Sequence, residues 1–268
     1  MRTGACVQAV GVLTGWGEGV AALPDDARAA ATAHPVIRLT RPALDGERFR
    51  RATRECLLGV AAVQQMLGDA DLPRGAIAGP RTALLFVTAG AYGPSNVEFI
   101  TGRAGTLHFP YTAPSALSAE VAIEFGLTGA YVILVGGPTA TVDALWQAGR
   151  LLGEGRCDRA LVLAVETFDE CEALWRRARW VLPTPLVEAA VCAMLVRGAS
   201  GVTVTGNGSG AAFEAEAQTR AGSTLACGPL IALALAREAG GGATRVTGTW
   251  RGRRAAIELT TTGRLARN

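Results

Sequence analysis

Apolar residues follow two rhythms along this chain. Tyr131 to Val135 is a continuous apolar run of strand length that meets Gly136-Gly137, after which Val142, Leu145, Trp146, Gly149 and Leu152 recur at helical spacing. A polar turn, Gly155-Arg156-Cys157-Asp158, leads into a second apolar run from Ala160 to Val165. Strand, helix and strand are the elements this order predicts. Leu117, Val121, Ile123 and Phe125 mark a buried helix within Phe109 to Gly129, with Gly126 and Gly129 suited to its C-terminal turn. Glu47 to Leu67 reads as a further helix and Leu186 to Arg197 as a strand, while Leu23 to Asp45, rich in Pro, Asp and Ala, reads as an irregular excursion. Beyond residue 200 the pattern predicts a strand in Gly201 to Ala211, a helix in Ala221 to Ala239, and closing strands at Ala243 to Thr249 and Arg253 to Thr260. Strands interleaved with helices specify an α/β fold.

The stretch from Gly129 to Glu166, GAYVILVGGPTATVDALWQAGRLLGEGRCDRALVLAVE, has the shape of a catalytic elbow and resembles the β-ketoacyl synthases of the thiolase superfamily. In that family the strand ends in a pattern like D-T-A-C-S-S-S, a helix follows, and a G-x-C-D-x-A-L turn leads to the next strand. Counting back from Gly155-Arg156-Cys157-Asp158 without a gap puts Pro138 where the family has its cysteine and Val135 where it has aspartate. Other segments resemble the family in order: ACVQAVGVLTGWGEGV its first strand and turn, FRRATRECLLGVAAVQQML its first long helix, FPYTAPSALSAEVAIEFGLTG the helix before the nucleophile strand, and LVEAAVCAMLVR the strand closing the first half. The resemblance implies a thiolase-like layered αβαβα fold, with a complete N-terminal half in residues 1–200 and a shortened C-terminal half in residues 201–268.

In the family the helix N-terminus lowers the pKa of the cysteine thiol and favours the attacking thiolate. Proline has no nucleophilic atom, yet it suits the first turn of a helix, where its missing N–H would have no partner. Pro138 therefore keeps the turn and removes acyl transfer. AGSTLACGPLIALALAREA resembles the last helix of the family, which opens with G-H-T-x-G-A in active members, so Ser223 stands where one catalytic histidine would. The second histidine is either deleted or replaced by Asn207 in GNGSG. The chain's own histidines, His34 and His108, fall at no catalytic position of the pattern.

Composition narrows the partners. With 49% hydrophobic residues and mean hydropathy +0.26 the chain can bury a large core. A net charge of +3 leaves no basic tract dense enough for nucleic acid, and Arg176, Arg177 and Arg179 read as a solvated helix face, with docking of an acidic carrier protein as the sharper alternative. Six scattered cysteines form no CxxC pair, so neither a metal nor a cofactor is expected. The absence of a signal-like start and of a long apolar run points to the cytoplasm, with no membrane contact. GNGSG lacks the G-x-G-x-x-G spacing of a dinucleotide site, and no G-x-S-x-G elbow occurs.

A ketosynthase scaffold with a dead site resembles the chain length factors of type II polyketide synthases. The resemblance implies a silent subunit that pairs with a full-length ketosynthase as a heterodimer, receives acyl carrier protein through that complex, and shapes the acyl tunnel. Chain length factors of aromatic pathways carry Gln at the nucleophile position and a full second half; the departures here point to the shorter subunits of highly reducing, polyene-forming systems. Tunnel or interface candidates are Phe86, Tyr92, Phe99, His108, Phe109, Thr112 and Leu134. Two other readings stay open: an acyltransferase or hydrolase of the same fold using Ser223 or Cys192, and a stand-alone scaffold that binds acyl carrier protein.

Overall fold

The computed structural model describes residues 3–32, 34, 36–178, 184–202 and 210–263. Its strands are β1 (Thr3–Thr14), β2 (Gly17–Glu18), β3 (Val36–Ile37), β4 (Thr82–Thr88), β5 (Tyr131–Val135), β6 (Arg159–Glu166), β7 (Leu186–Val187), β8 (Ala189–Val202), β9 (Gly241–Trp250) and β10 (Arg253–Thr262). Its helices are α1 (Ala27–Ala30), α2 (Arg54–Asp69), α3 (Gly93–Ile100), α4 (Pro114–Phe125), α5 (Pro138–Gly153), α6 (Glu172–Ala178), α7 (Gly210–Ala221) and α8 (Gly228–Glu238). One mixed sheet runs β5-β4-β6-β8-β1-β10-β9, with β2 hairpinned onto β1. Within it β4 is parallel to both β5 and β6, whereas β8 is antiparallel to β6 and β1. Among the described residues β9 and β10 extend this same sheet past β1.

The central strands β4 and β6 are apolar between their end residues because both faces are covered. In β4, Leu84 and Phe86 point to one side and Ala83, Leu85 and Val87 to the other, following the two-residue period of a strand. Leu84 and Phe86 join Val60, Val63, Leu117, Val121 and Phe125 of α2 and α4. On the opposite face Leu85, Val87 and Val162 meet Val142, Leu145 and Leu152 of α5 together with Leu230, Leu233 and Leu235 of α8. The result is a thiolase-like α/β arrangement with helices on both faces of a mixed sheet.

A bulge fixes the middle of β1. Val7 pairs with Leu195 and Ala9 with Met194, so Gln8 is an extra residue that the ladder leaves unpaired. The exposed carbonyls are taken up from outside the sheet: Arg237 of α8 donates to Gln8 O, and the Thr262 hydroxyl donates to the same oxygen at 3.2 Å. Asp69, at the end of α2, accepts from Val10 N and from Arg237 Nη2, both at 3.0 Å. One buried ion pair thus pins β1 to a helix on each face.

Candidate functional site: a closed elbow

The parallel strands β4, β5 and β6 end along one edge of the sheet, and the elbow lies there. β5 runs into Gly136-Gly137 and α5 opens with Pro138 at its first helical position. The tip of the β9–β10 hairpin folds over this turn. A Cβ added to Gly137 would stand 2.5 Å from both Cδ2 and Cε3 of Trp250, and one added to Gly248 would stand 2.5 Å from Pro138 O. Only glycine at both places lets the hairpin approach this closely. The hairpin turns through Arg251 (φ 49°) and Gly252 (φ 77°), a two-residue loop with both φ angles positive, and the Arg251 guanidinium sits 5.7 Å over the Trp250 ring.

Beneath the elbow is a buried acid. Glu166, the last residue of β6, is fully buried; its Oε1 accepts from Ala89 N at 2.6 Å and Ala226 N at 3.3 Å, and its Oε2 from Gly90 N at 3.2 Å and the Thr88 hydroxyl at 3.4 Å. Loss of water pushes its carboxyl pKa up to about 8, against the pull of those donors. Thr141, in the first turn of α5, donates to Ala226 O at 2.6 Å and ties the same loop to the elbow. A second buried acid, Glu188, accepts from Leu39 N and Phe168 N and from both terminal nitrogens of Arg54, each at 2.9 Å. Both acids act as cross-braces between loops. A lone Glu at the end of the apolar run from Ala160 to Val165 was the sequence signal for Glu166, and it reads equally well as a solvated strand end, whereas Glu188 is the one acid within the apolar stretch from Leu186 to Val196.

The sequence-predicted positions separate into groups. Pro138 lies at the elbow, half-buried. Ser223 is also half-buried; its N–H donates to Pro185 O at 2.9 Å and its carbonyl accepts from Val187 N at 3.0 Å, three residues before the Ala226 carbonyl that Thr141 holds. Asn207 and Arg179 lie outside the described residues. Cys192 is fully buried in β8, which raises its thiol pKa far beyond the ordinary range, so it offers neither access nor a thiolate. Among the described residues no cluster of His, Cys, Asp or Glu is arranged to hold a metal ion, and no helix is long and apolar enough to cross a membrane.

The tunnel candidates do not share one cavity within this chain. Phe86 is fully buried and, with Tyr92, lines a slot of about 10 Å³ between α2 and α4. His108 lines a separate open recess of about 820 Å³ with Arg51, Tyr111 and Glu120. Phe99 and Phe109 pack their rings 5.4 Å apart near the surface, and Thr112 closes that segment by donating to Phe109 O at 2.7 Å. Leu134 packs on the α5 side of the sheet. Among the described residues β5 is an edge strand, with Tyr131 42% and Val135 55% exposed. Further exposed apolar side chains are Val97, Ile100, Leu107, Phe109 and Ile123, the last on α4, which packs against β5.

Residues 15–217 match the family described as "Beta-ketoacyl synthase, N-terminal domain". The chain belongs to the β-ketoacyl synthase family. No curated protein matches it. Among solved structures it is similar to "The ishigamide ketosynthase/chain length factor", at 18% identity and TM-score 0.67, over 97% of this chain and 99% of that one. A β-ketoacyl synthase from Burkholderia phymatum STM815 gives 11% identity and TM-score 0.69, over 98% and 100% of the two chains. A chain of "AntDE:AntF (apo): type II PKS acyl-carrier protein in complex with its ketosynthase bound to the hexaketide" gives 12% and 0.73, over 98% and 100%. At these identities the shared property is the fold.

Proposed function

We propose that this chain is a catalytically silent ketosynthase-like subunit, a chain length factor, that pairs with an active β-ketoacyl synthase and shapes its acyl cavity in type II polyketide assembly. The observation that carries this reading is the elbow. It keeps the strand, the turn and the helix of a nucleophile site, and it has Pro138 where sulfur would attack. Transfer of an acyl group to a protein needs a nucleophile with a free electron pair. Pro138 has none.

The edge strand supplies the second support. β5, YVILV, carries no charge and has a neighbour on one side only among the described residues, so its other side offers a row of backbone donors and acceptors to an incoming strand. Exposed apolar groups on α4, which packs against β5, and on α3 and the intervening segment add apolar area for a stable contact. The similar solved structures bear the words ketosynthase/chain length factor and acyl-carrier protein in complex with its ketosynthase, which fit a ketosynthase as the partner and carrier protein as the visitor. In this reading residues 1–200 are the partner-binding half, residues 201–268 the shortened half, the setting is cytoplasmic, and the pathway is of the reducing, polyene-forming kind.

Co-expression tests it. With a full-length β-ketoacyl synthase of the same pathway the chain co-elutes as a heterodimer, and intact-mass analysis after incubation with an acyl thioester finds the acyl group on the synthase alone. An acyl adduct on this chain, or a well-behaved monomer that ignores the synthase, refutes it.

A further inference from the structure

The elbow is closed by more than the loss of sulfur. Trp250 lies so tightly against Gly137 that one added methyl carbon would stand 2.5 Å from the ring, and the neighbouring strand lies as tightly against Pro138 through Gly248. A thiol at the first position of α5 could accept an acyl group only if the chain of that group had somewhere to go. Beside this turn the space is indole. Two large cavities among the described residues do not reach it: one, of about 860 Å³, is lined by β1, the end of α2 and the end of α8, and the other, of about 820 Å³, by the segment around His108.

The ring is also held in place. The backbone that carries Trp250 is fixed by the pairing of its own strand, because Trp250 and Arg253 are the last rung before a two-residue turn, and nine further consecutive pairs continue the β9–β10 ladder behind it. The Arg251 guanidinium covers its outer side. Below it the Thr141 to Ala226 hydrogen bond and the Glu166 bracket fix the floor of the elbow. A side chain with so few free directions does not swing out at the low cost of an exposed rotamer.

We infer that Trp250 is a fixed stopper in this chain's own elbow, so that the filled space, independently of the missing thiol, excludes acyl cargo and leaves it to the partner. The inference rests on the silent-subunit reading and assigns the exclusion to one residue. Restoring the nucleophile alone then restores nothing.

The test uses the full chain carrying Pro138→Cys, Pro138→Cys with Trp250→Ala, and Pro138→Cys with Trp250→Phe. The probe is the octanoyl thioester of N-acetylcysteamine. In the reaction the introduced thiolate attacks the thioester carbonyl, the new C–S bond forms as the old one breaks, and N-acetylcysteamine leaves as its thiol after taking up a proton. Peptide mass mapping reads the acylated site, since the native cysteines are all free and Cys171 alone is not buried. Iodoacetamide, which needs no chain-length space, reports whether the thiol is reachable at all, and thermal melting reports folding. The expected result is octanoylation at least about tenfold faster with Trp250→Ala than with Trp250 present, Trp250→Phe falling between, and a much smaller difference towards iodoacetamide. Equal octanoylation with and without the ring overturns the stopper, and so does failure of the folded Trp250→Ala or Trp250→Phe variants to gain any. Co-elution of the parent chain with a ketosynthase is unaffected by either outcome, so the stopper and the partner role fail separately.

Discussion

Glu166 makes the stability of this protein fall as pH rises across the neutral range. Its carboxyl starts from an ordinary value of 4.5 and stands at about 8 in the folded chain, because burial removes the water that would solvate the anion. Between those two values the folded chain holds a proton that the unfolded chain has released. Stability therefore falls with rising pH by about 1.4 kcal/mol per unit; the contribution is complete below about pH 4.5 and gone above about pH 8. Urea unfolding at pH 5.5, 6.5 and 7.5, compared with Glu166→Gln, isolates this residue from other titrating groups. Gln keeps the shape of the protonated acid and cannot ionise. The stability of the parent relative to Glu166→Gln should drop by up to about 2.7 kcal/mol over those two pH units. A difference that stays level, or one that grows with pH, refutes the reasoning and means that the N–H donors of Ala89, Gly90 and Ala226 hold Glu166 as an anion.

Arg54→Ala leaves the Glu188 carboxylate buried without its two guanidinium bonds, so unfolding free energy in urea should drop by about 3–5 kcal/mol, and Arg54→Lys should recover only part because an ammonium cannot make the fork-like pair. Thr141→Val keeps the volume and strips the donor from Ala226 O, which should lower stability by about 1–2 kcal/mol in the same assay. Val135→Lys places a charge on the exposed end of β5, so the isolated chain should melt within a few degrees of the parent while co-elution with a ketosynthase is lost on size-exclusion chromatography. Retained co-elution would mean that β5 is not the seam.

Much of the fold was legible because its long elements carry a clean period. α2, α4 and α5 and the strands β4, β6 and β8 need their apolar residues wherever the core touches them, and that spacing is written directly in the chain. The helix expected after Gly136-Gly137 opens at Pro138. Three local features were not legible. α3 is an eight-residue helix with Val97 and Ile100 exposed and Ser95 its one buried residue, so no inward apolar period marks it. α7, GAAFEAEAQTRA, is rich in alanine and packs through small side chains such as Ala217 and Ala221, and the strand expected in Gly201 to Ala211 overlaps its first two residues. The helix expected from Ala221 to Ala239 begins only at Gly228, because Ser223 pairs its backbone with Pro185 and Val187 and the chain first makes a short turn at Leu225–Cys227. In β5 the apolar run was read correctly as a strand, yet an apolar run does not say whether the neighbour belongs to the same chain.

The candidate site divides along the same line between local and distant information. Pro138 could be found by counting, since its meaning depends on a turn less than twenty residues away. Trp250 could not, because it meets Gly137 across more than a hundred residues of sequence and nothing in the word GTWRGRR announces what lies under the ring. Packing gives that contact its logic. An elbow without cargo is an empty cavity, and an unfilled cavity in a protein interior costs about 24 cal/mol for each Å³. A chain that held no acyl group would gain stability by filling the space, and an indole is the largest side chain available to do so. Closing it requires both facing positions to give up their Cβ atoms, which Gly137 and Gly248 do. Thus the glycines that would suit a reactive turn also suit a sealed one, and the ring standing 2.5 Å from the missing methyl group distinguishes the two.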